Sequence, residues 1–193
     1  MEWRLDPNLL QSALRLLNKH PSVDLFASRL NHQFSRFVSY RPDPDAFAVD
    51  AFHLSWSKLN FYAFPPFCLL SRVLQKIKME KATGILVAPL WPTQPFFPIL
   101  FKMSTQEPVV LSARKKLLYL PSIPEESHPL HRKLRLVVCK ISGSDSEKMD
   151  FRWRQQNYLW THGALGQNDN MNITLKNGQH MQSESGLTAC RRL

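Results

Sequence analysis

The chain has 193 residues, 44% of them hydrophobic, enough for one globular domain with residues to spare. Its formal charge of +10 and pI near 9.8 favour polyanionic partners, nucleic acid foremost. No apolar run reaches the length of a membrane span and the start lacks a signal-peptide layout, so a soluble protein with no membrane partner is expected, intracellular and either nuclear or cytoplasmic. Cys68, Cys139 and Cys190 are odd in number and far apart, which argues against a disulfide framework or a zinc site and for a reducing compartment.

Pro7 to Asn18 carries Leu9, Leu10, Ala13, Leu16 and Leu17 at helical spacing, with Asp6 as N-cap and Pro7 in the first turn. Val23 to Ser28 and Arg36 to Tyr40 are short apolar runs that predict strands, and Arg41 to Ala46 has turn chemistry. Asn60 to Phe64 is β-prone and stops against Pro65-Pro66. Cys68 to Lys81 predicts the best helix, with an apolar stripe of Leu69, Leu70, Val73, Leu74 and Ile77. Thr83 to Leu90 is nearly all apolar, as a strand buried on both faces must be. Gln94 to Ser104 predicts a third helix, and two further strands flank Ala113 to Lys116, where a hairpin is expected.

Strands alternating with helices predict an α/β fold, Rossmann-like, with a mostly parallel sheet flanked by helices. After Pro121 the texture changes. Residues 122–160 are expected to be a linker holding one strand, near Leu134 to Ser142, and one polar helix from Ser144 to Trp160; residues 161–193, rich in Asn, Gln, Ser and Gly, are expected to be a disordered tail. Residues 1–121 carry 15 Lys and Arg against 8 Asp and Glu, so most of the excess charge lies in the expected α/β domain.

Three features should stand at strand carboxyl ends, where open α/β sheets bind ligands. They are Val23 to Ser28 with Asn31 beyond it, the Asp50-Ala51-Phe52 segment followed by Trp56, and the Phe64-Pro65-Pro66-Phe67 loop. With Trp3, Asp24 and Ala27, the strand Ile85 to Pro89 and the pair Phe96-Phe97, this order resembles the phage-type DNA adenine methylase (Dam) family over residues 3–121. The segments VDLFASRLNHQ, VDAF, YAFPPF, ILVAPLWPTQPFFP and LRLVVCKISG are similar, over nearly the whole chain, to the polyprotein segment that follows RNase H in DIRS-type tyrosine-recombinase retroelements. No reverse-transcriptase or RNase H motif stands in these residues, and the resemblance implies those parts upstream as partners.

The methylase resemblance implies S-adenosylmethionine as cofactor, with Asp24 and Asp50 lining its pocket and Asn31 near it. It makes Phe64, Pro65, Pro66 and Phe67 the catalytic loop. In that family the first loop residue is Asn or Asp, whose side chain accepts a hydrogen of the target amine while the closing aromatic stacks on the flipped base. Phe64 cannot accept it, so a degenerate methylase domain is expected; an active adenine N-6 methyltransferase and a non-catalytic nucleic-acid-binding or spacer module between RNase H and recombinase remain the alternatives. Arg114-Lys115-Lys116 form a basic turn suited to phosphate contact. Trp91, Phe96 and Phe97 suit base stacking or, more commonly, a core. His128, His131 and Cys139 lack a fourth ligand, so no metal is expected, and neither a P-loop nor a Ser/His/Asp signature is visible.

Overall fold

A computed structural model describes residues 3–146 and the strand residues 180–183, 186–189 and 191–192. Elements follow in chain order: β1 (Arg4–Leu5), α1 (Pro7–Leu16), β2 (Val23–Ala27), β3 (Arg36–Ser39), β4 (Ala48–Val49), β5 (Phe61–Ala63), α2 (Leu70–Glu80), β6 (Thr83–Pro89), α3 (Phe96–Met103), β7 (Val109–Leu111), β8 (Leu118–Leu120), β9 (Ile123–Ser127) and β10 (Leu136–Ser142). The three expected helices form, each slightly shorter than its apolar pattern. Asp6 caps α1 through Oδ1, which accepts the N–H of Asn8 at 2.8 Å and of Leu9 at 3.2 Å.

The main sheet runs β4-β3-β2-β5-β6-β10-β7, giving a mixed α/β fold with a mostly parallel sheet. Strands β2 to β6 are mutually parallel; β10 is antiparallel to both β6 and β7. Period-two alternation explains how β6 can be apolar throughout. Leu86 and Ala88 enter a core with α2 and α3, whereas Ile85 and Val87 enter a second core with α1 on the opposite face. In β10, Val137, Cys139 and Ile141 join the first core while Leu136 and Val138 join the second.

The structure departs from expectation in three places. Strands β7 and β8 do not form a hairpin: β7 pairs with β10, and β8 pairs with β1 and β9 in a separate three-stranded sheet. The boundary expected at Pro121 falls within continuous structure, because residues 123–127 are strand β9 and β10 inserts between β6 and β7. Pro and Glu made the first stretch read as a linker, yet an edge strand tolerates both. In the expected disordered tail, His180–Ser183 and Gly186–Ala189 pair as an antiparallel ribbon and Arg191–Arg192 lies parallel to β7. The polar helix expected to Trp160 lies, beyond residue 146, outside the described residues.

Candidate functional site

The chain enters the parallel sheet at β2, builds outward through β3 and β4, then returns to lay β5 on the other side of β2. Loops therefore diverge above the carboxyl ends of β2 and β5, and this reversal leaves a crevice. A cleft of about 640 Å³ opens there. Ala27, Ser28, Tyr40, Asp50 and Phe64, all at or just beyond strand ends, line it. Its walls are largely apolar, and the aromatic rings of Trp3, Phe26, Phe52 and Phe67 join those of Tyr40 and Phe64 among them.

Of the residues singled out by sequence, Asn31, Asp50, Phe64, Pro65, Pro66 and Phe67 all line this cleft. Asn31 holds the β2–β3 connection: its Oδ1 accepts the Ser28 N–H at 2.7 Å, and its Nδ2 donates to the Trp3 carbonyl at 3.5 Å. Asp50 sits at φ 55°, in the left-handed region that an Asp tolerates by bonding its own following backbone. Its Oδ1 accepts the Phe52 N–H at 2.9 Å and its Oδ2 lies 2.8 Å from His53 Nδ1.

The spacing from Asp50 to Trp56 has a mechanical basis. The buried Trp56 ring donates from Nε1 to the Ala51 carbonyl at 2.8 Å, fixing the turn that aims Asp50. Phe26 and Phe52 pack against that ring, and the Arg72 guanidinium lies 3.9 Å above Phe52. From α2, the Glu80 carboxylate accepts the Trp56 backbone N–H and is itself paired with Lys76 at 2.5 Å, an arrangement that holds its pKa below the usual value although burial opposes this.

At the opposite corner, Pro65 is buried and Pro66 precedes a single 3-10 turn, Phe67–Leu69, that leads into α2. The Phe64 ring lies 6.3 Å from Phe67, which in turn meets Trp91 edge-on at 5.1 Å. Phe96 and Phe97 are buried in the core beside α2 and so are not free to stack on a base.

Asp24 is not among the cleft-lining residues. It is buried, with Oδ1 accepting the Phe26 N–H at 3.3 Å and Oδ2 the Gln33 N–H at 3.1 Å. Burial pushes its pKa up to about 7 against the pull of those bonds and of Arg4. It braces the β2–β3 connection from beneath. Arg114, Lys115 and Lys116 are exposed and also lie outside the cleft. They follow β7, which runs in the direction of β6, so the basic turn leaves the sheet at the same end as the cleft.

Sequence reasoning named Trp3 in the motif order but did not bring Leu118 or His128 to the cleft. Trp3, Leu118 and His128 come from the small sheet of β1, β8 and β9 and its flanks. Gln33 Nε2 ties this sheet to the β2–β3 connection by donating to the Leu5 carbonyl at 2.6 Å. Among the described residues there is no group of three His, Cys, Asp or Glu able to hold a metal, and no helix is long and apolar enough to cross a membrane. No protein-family model matches the chain, and no curated protein does.

Proposed function

We propose that this chain is a methylase-derived, Rossmann-like module of a DIRS-type retroelement polyprotein, which binds an S-adenosylmethionine-like nucleoside in the cleft and is degenerate as a methyltransferase. The observation that carries the reading is the convergence of Asn31, Asp50 and the Phe64–Phe67 corner on one cleft at the point where the strand order reverses. The mostly parallel sheet, with α2 and α3 on one face and α1 on the other, supports the Rossmann-like architecture that the methylase resemblance implies. The aromatic lining suits a planar base, and the Asp50 carboxylate suits an amine or hydroxyl donor on such a ligand.

The same geometry explains the expected loss of catalysis. Methyl transfer to an exocyclic amine needs an acceptor for the amine's hydrogens at the first position of the corner, and Phe64 offers a hydrocarbon ring packed near Phe67. Losing one preorganised polar partner costs about 100- to 1,000-fold in rate. The exposed turn at Arg114–Lys116, on the cleft's end of the sheet, supports sequence-independent association with nucleic acid phosphates. Labelled S-adenosylmethionine incubated with adenine-containing DNA tests the catalytic half of the reading. The wild type should transfer no label, and Phe64→Asn trace amounts at best. Ready transfer by the wild type would establish an active adenine methyltransferase instead.

A further inference from the structure

We infer that His128 is the hydrogen-bond donor in the cleft for the carboxylate end of a nucleoside-derived ligand whose donor-bearing end is met by Asp50. The inference rests on the proposed nucleotide-type pocket and adds to it a residue from a different part of the chain. His128 lines the cleft on the wall made by the small sheet, away from the Asp50 turn that extends β4. Its ring meets Trp3 edge-on with centroids 4.7 Å apart, which fixes its plane.

The hydrogen bonding also fixes its proton. The Leu130 backbone N–H donates to His128 Nδ1 at 3.1 Å, so in the neutral ring that nitrogen is the acceptor and Nε2 carries the hydrogen. Burial and the neighbouring His131 hold the pKa of His128 below its usual value, keeping the ring neutral near pH 7. Protonating Nδ1 would set two donors face to face at Leu130, which acts in the same direction. His131 is engaged elsewhere, with its Nδ1 2.9 Å from the His128 carbonyl, and this closes the turn that carries the ring.

Asp50 accepts from Phe52 and His53 on the turn that extends β4, and its carboxylate suits a ligand's donors, with Arg72 lining the cleft beside it over the Phe52 ring. An acceptor at the other end of the ligand then meets a neutral imidazole N–H held beside the Trp3 ring. S-adenosylmethionine offers such an acceptor, with an amine-bearing base at one end and, at the other, a carboxylate beside an ammonium group. 5′-Methylthioadenosine keeps the base and sugar and lacks the whole arm that bears the carboxylate and ammonium together with the sulfonium charge, which makes it the control for contacts to that end.

The experiment is calorimetric titration of the wild type, His128→Ala and His128→Gln with both compounds, alongside the imidazole nitrogen shifts of the wild type by NMR. His128→Ala should weaken S-adenosylmethionine about 10- to 100-fold, the span for a hydrogen bond to a charged acceptor, and leave 5′-methylthioadenosine unchanged. His128→Gln, which restores an N–H, should recover part of the loss. The His128 Nε2 signal of the wild type should move with the first compound and stay with the second, a readout that needs no variant to fold. Equal weakening of both compounds, or no weakening of either, overturns the role of His128 while the pocket stands. Failure of the wild type to bind either compound overturns the pocket reading and His128's role with it.

Discussion

Removing the charge of Asp24 should change how stability depends on pH, and in a direction opposite to that of most carboxylates. The side chain is 2% exposed, and its pKa in the folded protein is about 7 against an ordinary 3.8. Below about pH 4 the group is protonated both folded and unfolded and costs nothing. Between that point and about pH 7 the unfolded chain ionises while the folded one resists, so stability falls as pH rises; above about 7 both states are ionised and the loss levels off. The interval from 3.8 to about 7 corresponds to roughly 4 kcal/mol at 1.36 kcal/mol per pH unit. Asp24→Asn cannot ionise, but its amide would turn a donor toward the Gln33 or Phe26 N–H, a penalty of about 1–3 kcal/mol at every pH. Urea unfolding of both forms from pH 4 to 8 isolates Asp24, because other titrating groups cancel in the difference. The wild type should be the more stable form at pH 4 and lose that advantage by pH 7.5. Parallel curves would refute the assignment of a buried, reluctantly ionised carboxyl.

Three further expectations follow from packing and charge. Gly143→Ala should destabilise by at least about 1–3 kcal/mol in chemical denaturation, because a Cβ there would sit 2.0 Å from the Ile77 carbonyl oxygen; unchanged stability would mean that the turn after β10 is not held against α2. Trp56→Phe should cost about 1–3 kcal/mol by leaving the Ala51 carbonyl without its donor, and should weaken any ligand of Asp50 as the turn relaxes. Fluorescence anisotropy with two unrelated DNA oligonucleotides should give similar affinities that fall steeply with salt; Arg114→Ala combined with Lys115→Ala and Lys116→Ala should reduce that salt slope, and an unchanged slope would remove this turn from the phosphate contacts.

Local patterns revealed the elements, and long-range pairing hid the rest. The helix at Pro7–Leu16 was legible because its leucines recur at helical spacing behind an Asp cap, and β6 because an unbroken apolar run of seven residues suits a strand covered on both sides. Asp50 was legible as a site residue because it lies beyond the end of its strand. Asp24 looked equivalent in sequence, yet it lies inside β2, between Val23 and Leu25 of the α2 core, and turns into the opposite face of the sheet near Tyr62. Strand β9 was hidden by its proline and glutamates, since edge-strand composition overlaps that of a linker. His128 gave no local signal as a cleft residue. It reaches the cleft through the pairing of β9 with β8 and of β8 with β1, contacts that bring together residues over 100 positions apart.

The most direct test of the central claim is calorimetric titration of the wild-type chain and Asp50→Ala with S-adenosylmethionine. Among the described residues Asp50 supplies the one carboxylate that lines the cleft, so a nucleoside held there should depend on it. The account predicts saturable one-to-one binding to the wild type and an affinity at least about 10-fold weaker for Asp50→Ala, as expected for loss of a charged hydrogen-bond partner. No heat of binding to the wild type at millimolar cofactor, or equal affinity of the two proteins, would contradict it.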